Sequence, residues 1–254
     1  MSKKRKNKYD RFDITNPINQ PTPEAPPVRK LKRISVSGTA CQGKSTLIKD
    51  MCARWQQLST PEKTYRDVIK EKGLTINKDG TAENQKIILD ALVDQLMVDY
   101  KGKKVVLDRC PLDNLVYTLW LNAKSPEKMP DEAVSKTIDI VRESMKMLDV
   151  VFFIPLTSVH KVPIVGDKLR ETDPEYIEEI DNIFKAVIHT QKLGVGKFFP
   201  LDNCPPIIEV FGDRETRIKM LELYIDDNCE FVGCDDSVIN QLALQANDQY
   251  KVEV

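Results

Sequence analysis

The chain has 254 residues, 30% of them charged, with a net charge of −1. That is one generous domain or a domain with tails, long enough to bury a sizeable core. A near-neutral charge points to no particular class of partner. No apolar run approaches the roughly 20 residues a membrane helix needs, so no membrane association is expected. His160 and His189 are isolated and the six cysteines form no C-x-x-C, which argues against a His- or Cys-built metal site. The charged N-terminus has no apolar stretch behind it, so no signal peptide is expected, and reduced thiols in a cytoplasm are the simplest reading.

Residues 1–29 read as a disordered arm. Residues 2–8 carry Lys3, Lys4, Arg5, Lys6 and Lys8, and Pro17, Pro21, Pro23, Pro26 and Pro27 follow. Such a segment cannot bury enough apolar surface to offset its ordering entropy. It reads either as a solvated tail or as an arm that contacts nucleic acid through phosphates.

A strand is predicted over residues 32–37, then the loop Gly38-Thr39-Ala40-Cys41-Gln42-Gly43-Lys44-Ser45-Thr46, then a helix over 44–57. The loop fits G-x-x-x-x-G-K-[ST] in its required strand-to-helix setting. Gly38 and Gly43 permit backbone approach that a Cβ would block. The loop amides and the helix N-terminus then suit phosphate oxygens, with Lys44 on the β/γ-phosphates and Ser45 on Mg²⁺.

A helix over 62–72 places Tyr65, Val68, Ile69 and Lys72 on one face, with Arg66 and Asp67 pointing elsewhere. After a loop at Asn77-Lys78-Asp79-Gly80, Thr81 starts a helix whose apolar stripe runs Ile87, Ile88, Ala91, Leu92, Leu96. Residues 103–108 form a short apolar strand ending in Asp108. A carboxylate at the C-terminal edge of a buried parallel strand lies where ligands bind in open α/β sheets. Asp108 there can hold Mg²⁺ or take a hydroxyl proton, and Arg109 can grip phosphate; a plain strand-end ion pair is the alternative.

Helices follow from Pro111 and over 131–147, then an apolar strand over 148–154. A charged loop, about 162–174, holds Lys168 and Arg170 and reads as a lid that clamps a transferred phosphoryl group, or as a solvated loop. Pro174 suits the first helical position with Asp173 as N-cap. A last strand over 207–211 leads to a helix after Asp213, and the chain from Asn228 is polar and weakly patterned. The alternation predicts an α/β fold, a mostly parallel sheet with helices on both faces. The expected division is arm 1–29, domain 30–234 and a polar segment 235–254.

Gly38 to Thr46, the Asp108-Arg109-Cys110-Pro111-Leu112-Asp113 stretch with Tyr117, and the Arg170…Asp173…Tyr176…Asp181…Phe184 pattern together resemble the P-loop small-molecule kinases. The thymidylate-kinase family and the nicotinamide-riboside-kinase-like phage domains are the nearest in pattern, over roughly residues 30–226. The resemblance implies a P-loop kinase fold with a lid, and transfer of the γ-phosphate of ATP, with Mg²⁺, to a nucleoside- or nucleotide-like acceptor. It implies roles for Asp108 and Arg109 near metal and acceptor and places Lys168 and Arg170 in the lid; Gln85 matches a Gln of the riboside-kinase-like group. Cys110 stands where thymidylate kinases carry Tyr or Ser, which leaves the acceptor open. A phage-type kinase acting on 5-hydroxymethyluracil within DNA would suit the basic arm. A P-loop ATPase or regulatory binding protein that transfers nothing is the third reading.

Overall fold

A computed structural model describes residues 30–158, 171–196, 198 and 204–232. The predicted arm, most of the lid (Lys168 and Arg170 included) and the C-terminal segment lie outside these residues.

Five parallel strands form one sheet in the order β2-β3-β1-β4-β5. They are β1 Arg33–Ser37, β2 Leu58–Ser59, β3 Lys104–Asp108, β4 Val150–Phe153 and β5 Ile207–Glu209. The helices are α1 Lys44–Arg54, α2 Tyr65–Lys72, α3 Ala82–Met97, α4 Pro111–Lys124, α5 Asp131–Met145, α6 Pro174–Lys192 and α7 Arg214–Glu222, with one 3-10 turn at Asn77–Asp79.

Strand alternation sorts the core into two layers. Val105, Leu107, Val151 and Phe153 face α3, α4, α5 and α6. Ile34, Val36, Val106, Val150 and Phe152 face α1 and α7. Both sheet faces are therefore covered, which is why the central strands read as continuous apolar runs. Full burial of each such side chain contributes about 1.5–3 kcal/mol. Ser35 and Ser37 are the exceptions; they take β1's other face and lie fully buried. Their hydroxyls are bonded there, Ser37 to the Asp113 carboxylate at 2.7 Å.

Several boundaries differ from the sequence-based expectation. α1 ends at Arg54, because Trp55 turns extended and buries its ring against the same core as α1. The next two residues that pair, Leu58–Ser59, form an edge strand too short to leave a pattern. α2 starts at Tyr65, not Glu62: Thr64 and Asp67 make a reciprocal capping box that fixes the first turn. β4 starts at Val150 because the Asp149 carboxylate accepts the amides of Lys32 and Arg33, at 2.6 and 2.7 Å. The stretch from Asn228 is more ordered than its polarity suggests. Phe231 bridges to Ile225, Cys229 and Phe231 are buried, and Glu230 pairs with Lys104 at 2.7 Å. At the start of α6, Asp173 caps by accepting from the Glu175 amide at 3.0 Å, with Pro174 at the first position, as expected.

Candidate functional site

β1 and β3 are neighbours in register, with Val36 opposite Asp108. Their C-terminal ends therefore deliver the Gly38 turn and the Asp108-Arg109 pair to one edge of the sheet. This edge lies at the middle of the strand order, where chain connections diverge to either side, and ligands bind there in open α/β sheets.

The loop geometry requires its first glycine. Gly38 has φ +137°, and a Cβ on it would lie 2.7 Å from the carbonyl oxygen of Ile154. The loop then curls through Cys41 (φ 58°) to Gly43 (φ 75°), which stands as N-cap of α1 with no side-chain cap. The first turn of α1 carries no acidic residue of its own, which leaves its amides turned to the loop. Thr39 anchors the loop from behind through a 3.1 Å bond from its hydroxyl to the Ile177 carbonyl in α6. Arg217 of α7, buried, anchors it from the other side by donating to the Gln42 carbonyl at 2.8 Å.

Lys44 is buried and its ammonium donates back to the Thr39 carbonyl. Burial first, then the nearby Arg109 cation, pull its pKa from the usual 10.5 down to about 7. A lysine held this way binds its proton more tightly once polyphosphate oxygens arrive.

Asp108 receives the Ser45 hydroxyl at 3.4 Å and an Arg66 guanidinium nitrogen at 3.2 Å, both on Oδ2. Its Oδ1 is buried with no hydrogen-bond partner among the described residues. An orphaned carboxylate oxygen beside a hydroxyl fits a divalent cation. Among the described residues no group of three or more His, Cys, Asp or Glu gathers to cage a metal. One carboxylate and one hydroxyl, completed by phosphates and water, is the donor set that suits Mg²⁺. Ser45 and Asp108 would hold it.

Arg109 is more constrained than its position in the sequence suggests. Its φ is +78°, in the left-handed region, and the side chain is buried. Its nitrogens donate to the Tyr65 hydroxyl (2.9 Å), the Gly38 carbonyl (3.1 Å), Asp113 (2.9 Å) and the Tyr117 hydroxyl (3.2 Å). Asp113 also accepts from the Ser37 hydroxyl and from the amides of Gly38 and Cys110. The pair is a cross-brace between the phosphate loop, α2 and α4. It holds a cation at the wall of the cleft rather than free within it.

The cleft that results is open to solvent on one side and lined by residues of the loop, α2, α3 and α4. One end is the loop from Ala40 through Thr46; the other is apolar, with Ile69, Ile76, Ile88 and Leu92. Tyr65, Arg66, Arg109 and Tyr117 lie along its walls. In the apolar half sit two amides, Gln85 and Asn114, with Asn114 Nδ2 donating to the backbone and side-chain oxygens of Gln85 at 2.9 and 2.8 Å. Glu171, at the described foot of the expected lid, completes the lining. Lys78 reaches from the 3-10 turn to Asp173 at the start of α6.

The structure therefore gathers Ala40, Cys41, Gln42, Gly43, Lys44, Ser45, Thr46 and Arg109 around one cleft. Gly38 and Thr39 lie behind the loop as its support, and Asp108 sits beside it through Ser45. Arg170 lies outside the described residues. Sequence reasoning missed Arg66, which it pointed away from the site; the pattern placed a charged residue next to the Tyr65/Ile69 stripe with no local sign of its partner 42 residues on. It also missed Asn114 and Arg217, polar residues in helices whose burial only tertiary packing reveals.

A family model described as an AAA domain matches residues 33–195. The chain belongs to this AAA domain family. No curated protein matches it. Among solved structures, this AAA domain is similar to thymidylate kinase from Candida albicans, at a TM-score of 0.53 and 16% identity over 78% of this chain and 92% of that one. It is similar to deoxyadenosine kinase from M. mycoides with bound dATP, at a TM-score of 0.50 and 15% identity over 75% and 96%. It matches the NadR protein in complex with NR at a TM-score of 0.49 and 14% identity, and spans about half of that chain, 52%. At such identities the likeness is one of fold: this AAA domain has the α/β architecture of P-loop kinases. Among the described residues no helix is long and apolar enough to cross a membrane.

Proposed function

We propose that this AAA-domain protein is a P-loop phosphotransferase that uses MgATP to phosphorylate a hydroxyl of a nucleoside- or nucleotide-like acceptor. The observation that carries the reading is the single cleft, which joins the phosphate loop to an apolar half containing the Gln85–Asn114 amide pair. The apolar half offers Ile69, Ile76, Ile88 and Leu92 beside polar groups of the kind that orient a base or sugar.

Phosphoryl transfer asks the protein chiefly for positioning and charge stabilisation. In this reading the loop amides from Ala40 to Thr46 and the α1 N-terminus hold the phosphates. Lys44 exchanges the Thr39 carbonyl for the β/γ-phosphate oxygens and regains its proton. Ser45 and Asp108 would hold Mg²⁺, which would offset charge on the phosphates. Arg109, braced by Asp113, supplies a fixed cation at the cleft wall without reorganising. The lid, with Lys168 and Arg170, closes over the transferred group and excludes water. The domain is proposed to run from 30 to 234, between the arm 1–29 and the segment 235–254.

The test is ATP labelled in the γ-phosphate, offered with free deoxynucleosides, deoxynucleotides or duplex DNA containing 5-hydroxymethyluracil. Label on a free nucleoside or nucleotide is the expected result. Label on the DNA alone, with a salt dependence that deletion of residues 2–8 flattens, would assign the polymer acceptor that the basic arm suggests. Phosphate released only to water, at a rate no acceptor changes, would make the protein an ATPase.

A further inference from the structure

Arg66 lines the cleft as a cation, yet the proposed transfer gives it no task. Its guanidinium bonds Asp108 Oδ2 at 3.2 Å, the same oxygen that receives the Ser45 hydroxyl. Its Nε is buried with no partner among the described residues. Its guanidinium carbon lies over the Tyr65 ring, 5.5 Å from the centroid. The side chain is partly exposed, 27%, on the cleft side. Asp108 Oδ1, on the same carboxylate, has no partner either. Each group is thus incompletely satisfied by the other: a guanidinium reaches a carboxylate with one nitrogen, where a forked two-bond pairing is the stable arrangement.

We propose that Arg66 is a counter-cation that holds Asp108 in the metal-free protein and yields it when the divalent cation binds, so that metal loading and release of Arg66 into the cleft are one event. The physical reason is competition for one charge. A carboxylate that neutralises a guanidinium a few ångströms away binds a second cation against repulsion. That repulsion weakens metal binding by an amount set by how far water screens the two charges. A divalent cation on Oδ1 would draw the carboxylate's charge and so weaken the one-nitrogen contact that Arg66 makes with Oδ2. The guanidinium, with a spare Nε donor already buried beside the site, is then left facing the space that the nucleotide's phosphates bring negative charge into. Arg66 is in these terms a positioning residue for the metal carboxylate. The inference rests on the metal assignment to Ser45 and Asp108, and it does not depend on any transfer of phosphate.

The test uses Mn²⁺ as an electron-spin-resonance probe of the site and needs no turnover. Titrations of the full chain with Mn²⁺ are compared for wild type, Arg66→Gln, Arg66→Lys and Asp108→Asn. Arg66→Gln is expected to bind Mn²⁺ on the order of tenfold more tightly, since about 1.4 kcal/mol of repulsion is removed. Arg66→Lys keeps the charge and should stay near wild type, and Asp108→Asn should lose the site. Equal or weaker Mn²⁺ binding by a folded Arg66→Gln protein overturns the proposal. If Arg66→Gln fails to fold, the wild-type side chain answers directly: its Nε–H resonance, identified by its loss in Arg66→Lys, is expected to shift when Mg²⁺ is added to protein already saturated with a non-hydrolysable ATP analogue. A resonance that stays in place overturns the proposal as well. Should transfer assays find no acceptor while Mn²⁺ binding behaves as expected, the kinase reading fails and this inference stands.

Discussion

Arg109, two residues before α4, and Asp113 in its first turn form a 2.9 Å ion pair in which the carboxylate is 1% exposed. Asp113 accepts four hydrogen bonds, from Arg109, the Ser37 hydroxyl and the amides of Gly38 and Cys110. The first turn of α4 thereby fixes where the phosphate loop leaves β1. A pattern that reads as a catalytic Asp-Arg motif is, in its arginine, also a piece of internal scaffolding.

Asp113→Ala should accordingly cost more stability than its single position suggests. Removing one member of a buried pair leaves the other charge uncompensated, at about 3–5 kcal/mol. Urea denaturation of the variant should show that loss. A change under about 1 kcal/mol, the level of an exposed pair, would mean that the brace contributes nothing.

Gly38 and Gly73 both have positive φ, yet they should respond differently to alanine. At Gly38 the new Cβ would meet the Ile154 carbonyl oxygen at 2.7 Å, whereas at Gly73 it meets nothing within 4 Å. Gly73→Ala should cost only the left-handed backbone penalty, about 1–2 kcal/mol. Gly38→Ala must move the loop or β4, so nucleotide affinity should fall as well. Equilibrium binding of a fluorescent ADP analogue to both variants checks this, and equal affinities would contradict it.

Lys44 makes nucleotide binding pH-dependent. With its pKa near 7, the ammonium is mostly neutral at pH 8 in the empty cleft, and bound phosphates raise its pKa. Binding should therefore take up a substantial fraction of a proton at pH 8 and little at pH 6. Calorimetry in two buffers of different ionisation enthalpy measures this directly. The same shift links to folding. The unfolded lysine, at 10.5, binds its proton more readily than the folded one, at about 7, so this residue's contribution favours folding at high pH. That advantage is lost as pH falls from about 10.5 to about 7. Relative to Lys44→Met, the wild type should lose stability over that window and run parallel to it below; parallel curves throughout would show that Lys44 is not so buried.

Much of this was legible in the chain itself. The loop from Gly38 to Thr46 announces its job because few backbones need two glycines, a lysine and a hydroxyl at that spacing. β3 and β4 read clearly because both faces of a parallel sheet are covered, so Val105 to Leu107 and Val150 to Phe153 are apolar throughout. What escaped was written in tertiary contacts. Arg66 finds Asp108 across 42 residues, and Arg217 finds Gln42 across 175. The Leu58–Ser59 strand is defined only by its neighbour β3. Asn114 looks like an ordinary helix residue until Gln85 is packed against it.

The most direct test of the central claim is the fate of the γ-phosphate in a single turnover. Enzyme in excess over labelled ATP, with Mg²⁺ and the best acceptor from the panel, should place most of the label on the acceptor and little in free phosphate. Lys44→Ala should slow that transfer by roughly 100-fold or more, because it removes charge stabilisation worth several kcal/mol at the phosphates. Label that passes to water at the same rate with and without acceptor, or transfer that Lys44→Ala leaves intact in a folded protein, would contradict it.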